Sequence, residues 1–157
     1  MKTKKISDLK RRPGIESNSK LQKTLLQLEK LLAELEQQEL NHTLVTSINK
    51  EIVALNSIPT SDKNLRKQII KGQTNIIKIA EKELKLVPKN YYRNLWLAIG
   101  MAVFGLPIGI IIGVALDNMA FLGIGLPMGL AVGIAIGTGM DKKAQEEGRQ
   151  LDIEINN

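Results

Sequence analysis

Two amphipathic rhythms and one unbroken apolar run succeed each other along this chain. From Ser17, the residues Leu21, Leu25, Leu28, Leu32 and Leu35 recur at alternating spacings of four and three, the heptad seam of an amphipathic helix. Leu26 and Leu31 widen that face, which suits a small bundle better than a strict two-stranded zipper. Glu39 and His42 then occupy the seam's continuation, so Asn41-His42-Thr43 reads as a helix interruption. Apolar spacing resumes at Leu44, Ile48, Ile52 and Leu55. Ser57-Ile58-Pro59-Thr60-Ser61-Asp62 is a turn, with Ser61 or Asp62 placed to cap the next helix. Leu65, Ile69, Ile76, Ala80 and Leu84 predict a last amphipathic helix running to about Leu86, which Pro88 ends. The expectation for residues 17–88 is an antiparallel helical hairpin or three-helix unit. A fold that small has little core of its own and commonly gains stability by self-association.

The pattern then changes character. Leu95 to Met140 is a stretch of 46 residues with one charged side chain, Asp117, and 10 of the chain's 13 glycines. A single helix of that length would run roughly 69 Å at ~1.5 Å per residue, more than twice a bilayer core of ~30 Å. Asp117-Asn118 divides the stretch into 95–116 and 119–140, with 22 residues on each side, and both residue types favour turns. Two membrane-spanning helices joined by a very short turn fit this pattern. A water-exposed helix rich in glycine is costly, at about 1 kcal/mol per glycine relative to alanine. In lipid the same glycines let helix backbones approach closely.

Composition and charge support the division. The formal net charge is +6, and residues 1–94 hold all of the basic excess. Lys85, Lys89 and Arg93 precede the first apolar helix, Lys142 and Lys143 follow the second, and the turn between carries neither lysine nor arginine. Tyr91, Tyr92 and Trp96 stand at the entrance, where amphipathic rings prefer the headgroup level. The membrane-interface residues are thus Tyr91, Tyr92, Arg93, Trp96, Lys142 and Lys143. The positive-inside rule places both termini in the cytoplasm and the turn outside, in the plasma (inner) membrane. MKTKKISDLKRRPG has no apolar core, so no cleavable signal is expected and insertion falls to the hairpin itself.

An internal repeat fixes the geometry. Residues 105–116 read GLPIGIIIGVAL and residues 125–136 read GLPMGLAVGIAI, identical at six of twelve positions. Gly105, Gly109 and Gly113, then Gly125, Gly129, Gly133 and Gly137, recur every four residues and so line one stripe of each helix. Folding back at the turn levels Gly105 with Gly129, Gly109 with Gly125, and Pro107 with Pro127 near the bilayer centre. Each proline predicts a kink that improves packing, with a hinge or lined constriction as the sharper alternative. This pattern resembles the glycine-zipper membrane modules of small bacterial membrane and cell-envelope proteins. The likeness covers residues 100–139, and implies a compact or oligomerising hairpin and, in some members, pore formation. The remainder resembles bacterial proteins in which a helical cytoplasmic region precedes such a hairpin, a likeness that implies no particular activity.

The remaining chain suggests little chemistry. Residues 1–16, with six basic and two acidic side chains, predict a flexible basic arm, either a solvated tail or a contact for anionic lipid or nucleic acid. Residues 141–157 predict a polar cytoplasmic tail. Zero cysteines exclude thiol chemistry and disulfides, and one histidine makes a histidine-based metal or catalytic centre very unlikely. Glu29, Glu34, Glu36 and Glu39 read as a solvated helix face. No phosphate-binding loop, zinc-protease motif or nucleophile elbow is present. The expected protein is therefore all-α and not an enzyme, with no cofactor, no metal and no catalytic residue. Its partners would be the lipid bilayer, further copies of itself, and a protein bound by the cytoplasmic helices rather than nucleic acid. The principal expectation is a membrane hairpin that anchors and clusters a helical interaction module. A pore-forming effector is the alternative, and a membrane-tethered nucleic-acid binder the weaker one.

Overall fold

The computed structural model describes residues 5–10, 12, 19–60 and 64–155. The fold is all-α, with 75% of the described residues helical and almost no sheet among them. It divides into two compact units, one comprising residues 1–88 and 151–157 and the other residues 89–150.

In the first unit, α1 (Ser19–Glu36), α2 (His42–Asn56) and α3 (Leu65–Leu84) follow one another, and α3 packs against both others. The core is assembled from their apolar stripes. Leu28, Leu31 and Leu35 from α1 are fully buried with Leu44, Ile48 and Ile52 from α2 and Leu65, Ile69 and Ile76 from α3. Leu31 does widen the α1 face, whereas Leu26 is 57% exposed and lies outside the core. The interruption between α1 and α2 falls at residues 37–41, earlier than the expected Asn41-His42-Thr43, since His42 and Thr43 already belong to α2 and Asn41 is its cap. Its side-chain oxygen accepts the Leu44 N–H at 2.7 Å, satisfying one orphan donor of the first turn. The other proposed caps, Ser61 and Asp62, lie outside the described residues.

Two expectations are corrected here. Residues 5–10 and 12 are not a free arm, because Ile6 is buried and the backbone around it is hydrogen-bonded to α2. Nor is the C-terminal region simply a polar tail. Residues Gln150–Glu154 form a strand, β2, paired with β1 (Val87–Lys89). Its alternation buries Leu151 and Ile153 while Asp152 and Glu154 face water. Helix α3 accordingly stops at Leu84 rather than Leu86, with Lys85 in the left-handed region at φ 59°. Pro88 then lies inside β1, which a two-stranded ribbon tolerates because each strand has an unpaired edge.

One buried residue contradicts the apolar logic of the core. Gln73 on α3 is fully buried, and among the described residues neither its Oε1 nor its Nε2 has a hydrogen-bond partner. An unsatisfied buried amide costs about 1–3 kcal/mol. Gln73→Leu, of similar size, is expected to raise stability by about that amount. A shift of the urea unfolding midpoint to lower concentration would contradict this.

The second unit is a helical hairpin. Its first arm runs from Tyr91 to Ala115 as α4 (Tyr91–Gly100), a π-helical segment (Met101–Gly105) and α5 (Leu106–Ala115). The returning arm is a single turn of 3₁₀ helix, Met119–Phe121, followed by α6 (Leu122–Glu146).

Candidate membrane hairpin and its glycine seam

The two arms, Tyr91–Ala115 and Met119–Glu146, have 25 and 28 residues and are long and apolar enough to cross a membrane. At ~1.5 Å per residue they extend roughly 38 and 42 Å, beyond a ~30 Å hydrocarbon core. The surplus places the first turn of α4, with Tyr91 and Tyr92, and the end of α6, with Lys142 and Lys143, at headgroup depth in any spanning arrangement. The two tyrosine rings meet edge to face, 5.1 Å apart. Arg93 is exposed, and Trp96 is half-buried one turn further in.

Between Leu95 and Met140, what the hairpin buries is glycine. Gly100, Gly105, Gly109 and Gly113 on the first arm and Gly125, Gly129, Gly133 and Gly137 on the second are its buried glycines. The large side chains point outward, with Ile111 and Val114 each 66% exposed. Only 22% and 17% of the apolar windows of the two arms are buried. A helix pair folded in water distributes its residues the other way, with bulky apolar groups inside.

Close approach explains each glycine on the seam. A Cβ on Gly125 would lie 2.2 Å from the Gly105 carbonyl oxygen and 2.3 Å from the Gly109 nitrogen. One on Gly129 would lie 2.4 Å from the Gly105 nitrogen, and one on Gly133 would lie 2.2 Å from the Trp96 oxygen. Gly137 faces the Arg93 Cα at 2.5 Å, while Gly109 and Gly113 face Leu122 and Met119. The pairings of Gly105 with Gly129 and of Gly109 with Gly125 are those of the sequence register. Gly123 and Gly139, off the stripe, have no such neighbour.

Gly100 also belongs to the seam, since a Cβ there would meet the Gly129 oxygen at 2.4 Å and the Gly133 Cα at 2.7 Å. The four-residue spacing misses it because Gly100 precedes Gly105 by five. The π-helical segment between them absorbs the extra residue. Its bonds run from residue i to i+5, as from the Leu106 N–H to the Met101 carbonyl, and keep Gly100 on the packing face. Pro107 sits just beyond, at the start of α5, where a missing N–H is tolerated. Pro127 lies inside α6 with no such segment. The proline symmetry of the sequence thus becomes an asymmetry in the backbone.

Both ends of the seam are closed by polar groups. At the turn, Asp117 adopts the left-handed region at φ 47°, and the Asn118 side chain accepts the Ala120 N–H at 3.0 Å. At the open end, Asp141 continues the stripe four residues after Gly137. Its carboxylate is buried and accepts the N–H groups of Tyr92 at 3.0 Å and Arg93 at 2.9 Å. A residue of α6 thus caps the N-terminus of α4, where Asn90 offers no side-chain cap. Beyond it, Arg149 is paired with Glu147, whose hydrogen bond and charge hold the guanidinium above its ordinary pKa. Among the described residues, no three acidic or histidine side chains converge on a metal position. No protein-family model, curated protein or solved structure matches this chain.

Proposed function

We propose that the protein is an integral membrane anchor. Its glycine-seamed hairpin, of the kind the sequence resembles, crosses the plasma membrane twice and holds the three-helix unit at the cytoplasmic surface as an interaction module. The observation that carries this reading is the inverted hairpin, with glycine inside and branched apolar side chains outside. An apolar solvent makes that arrangement favourable, whereas exposing those faces to water would cost ~25 cal/mol per Å².

Strand pairing supports an even number of crossings. Strand β1 leads directly into α4 and β2 follows α6, so their pairing brings the chain in and out on one side. The lysines and arginines near both ends support a cytoplasmic placement of that side. Backbone-to-backbone packing along the seam leaves no lumen between the two arms, which favours an anchor over a pore. The same glycines are occupied within one chain, so the anchor does not require a second copy.

The chain has no cysteine, so one introduced thiol reports topology directly. In intact cells, Asn118→Cys is expected to react with an impermeant maleimide added outside, and Glu146→Cys only after permeabilisation. The reverse pattern would overturn the orientation. Release of the chain from membranes by alkaline carbonate would overturn the anchor.

A further inference from the structure

Helix α2 carries two asparagines, Asn49 and Asn56, that hold the N-terminal segment by its backbone. Asn49 Oδ1 accepts the Ser7 N–H at 2.7 Å while its Nδ2 donates to the Lys5 carbonyl at 3.2 Å. Asn56 repeats the pairing, with Oδ1 accepting from the Lys10 N–H at 2.8 Å and Nδ2 donating to the Asp8 carbonyl at 3.1 Å. Each amide thereby stands in for a neighbouring β-strand, bracing one residue, Ile6 or Leu9, between two backbone bonds. The dimensions agree. Seven helical residues advance roughly 10.5 Å, and three extended residues roughly 10 Å. A ladder of asparagines seven apart on a helix therefore matches an extended chain read every third residue.

The third position in that series is Arg12. Its guanidinium donates to the Ile58 carbonyl at 2.8 Å and the Leu55 carbonyl at 2.7 Å, at the C-terminal end of α2 where orphan acceptors gather. Ile6 is buried and Leu9 half-buried. Residues 6–9 share an open groove of about 620 Å³ with Glu29, Leu32, Ala33 and Glu36 of α1. The two glutamates complement the basic character of Lys5, Lys10 and Arg12.

We infer that this face is a peptide-binding groove, and that residues 5–10 and 12 are its resident, displaceable occupant. The partner it fits is an extended basic peptide with an apolar residue, a second apolar residue three positions on, and an arginine three beyond that. Backbone pairing makes the intervening residues interchangeable, so a partner segment of this pattern competes with the chain's own strap. The inference is independent of whether the hairpin crosses a bilayer.

The probe is a fluorescent peptide of this chain's residues 4–13, titrated onto the full chain in detergent micelles. Ile6→Asp in the protein, which dislodges the strap, is expected to tighten peptide binding roughly tenfold over the intact chain. Asn49→Leu with Asn56→Leu in that background is expected to weaken it by a similar factor. Peptides with alanine for Ser7, Asp8 and Lys10 should bind within about threefold, and peptides N-methylated at Ser7 and Lys10 should not bind. Equal affinity for methylated and unmethylated peptides overturns the proposal. Should Ile6→Asp unfold the protein, amide exchange at Ser7 and Lys10 in the otherwise unmodified chain decides. It must accelerate in the double asparagine variant, and unchanged exchange overturns the groove. Dimers of the intact chain that dissociate in that variant would assign the groove to a second copy and overturn the partner.

Discussion

Gly129→Leu is expected to force the two arms of the hairpin apart, while Gly123→Leu, six residues earlier on the same helix, leaves them in place. The difference lies in what the new side chain meets. At Gly129 a Cβ alone falls within 2.5 Å of the Gly105 nitrogen and the Gly100 oxygen, both backbone atoms. Side chains in an overpacked core can rotate aside, and even then overpacking costs about 1–3 kcal/mol. A backbone cannot rotate aside, so the expected loss is about 3 kcal/mol or more. Nothing lies within 4 Å at Gly123, which also gains helix propensity from the substitution. Spin labels at Ala98 and Ala135, read by double electron–electron resonance in bilayers, give the distance between arms. It should lengthen or broaden for Gly129→Leu and match the parent for Gly123→Leu. Equal responses from both variants would mean that the stripe does not set the spacing.

This contrast shows what was legible in the sequence. Seven glycines at four-residue intervals, folded back at Asp117-Asn118, specify the seam and its register because helical period and hairpin symmetry are both local rules. Gly100 escaped because a five-residue step leaves an α-helical stripe, and only the π-helical segment restores it. That segment is a backbone response next to Pro107, yet Pro127 in the same repeat elicits none, so the motif alone does not determine it. The first unit divides in the same way. Leucine and isoleucine stripes revealed three helices, but Leu26 and Leu31 are indistinguishable until the neighbours of α1 are known.

Long-range pairings were the least legible. Leu151-Asp152-Ile153-Glu154 alternates as a strand should, but its partner is a three-residue segment about sixty positions earlier that contains a proline. Such a segment reads as a helix stop rather than as a strand. The pairs Asn49–Ser7 and Asn56–Lys10 join residues 42 and 46 apart through backbone groups, which carry no sequence signature. Six basic charges among sixteen residues suggested a solvated arm for the same reason: composition reports side chains, and residues 5–10 are held largely by their main chain.

Asp141→Ala should produce the second large effect, at the opposite end of the hairpin from the turn. The carboxylate is 6% exposed and bonds two N–H groups of the first turn of α4. Hydrogen bonds to a charged group contribute about 1.5–3 kcal/mol, and a negative charge at a helix N-terminus adds about 0.3–1 kcal/mol. Alanine removes both and leaves the Tyr92 and Arg93 donors without their acceptor. Asp141→Asn should lose roughly half as much, because its amide oxygen accepts one N–H while its NH₂ confronts the other. Lys142→Gln is the control. Its ion pair with Glu146 joins side chains 75% and 64% exposed, so the expected change is under about 0.5 kcal/mol. Amide exchange at Tyr92 and Arg93, followed in micelles, should accelerate about tenfold or more in Asp141→Ala and remain at the parent rate in Lys142→Gln. Because Asp141 belongs to α6 and its donors to α4, that acceleration would show that the entry helix is capped by the exit helix. A seam of glycines brings the backbones together but supplies no directional bond of its own. With Asp141 lost and the glycines intact, fraying confined to the open end would separate the seam's contribution from that of the clasp.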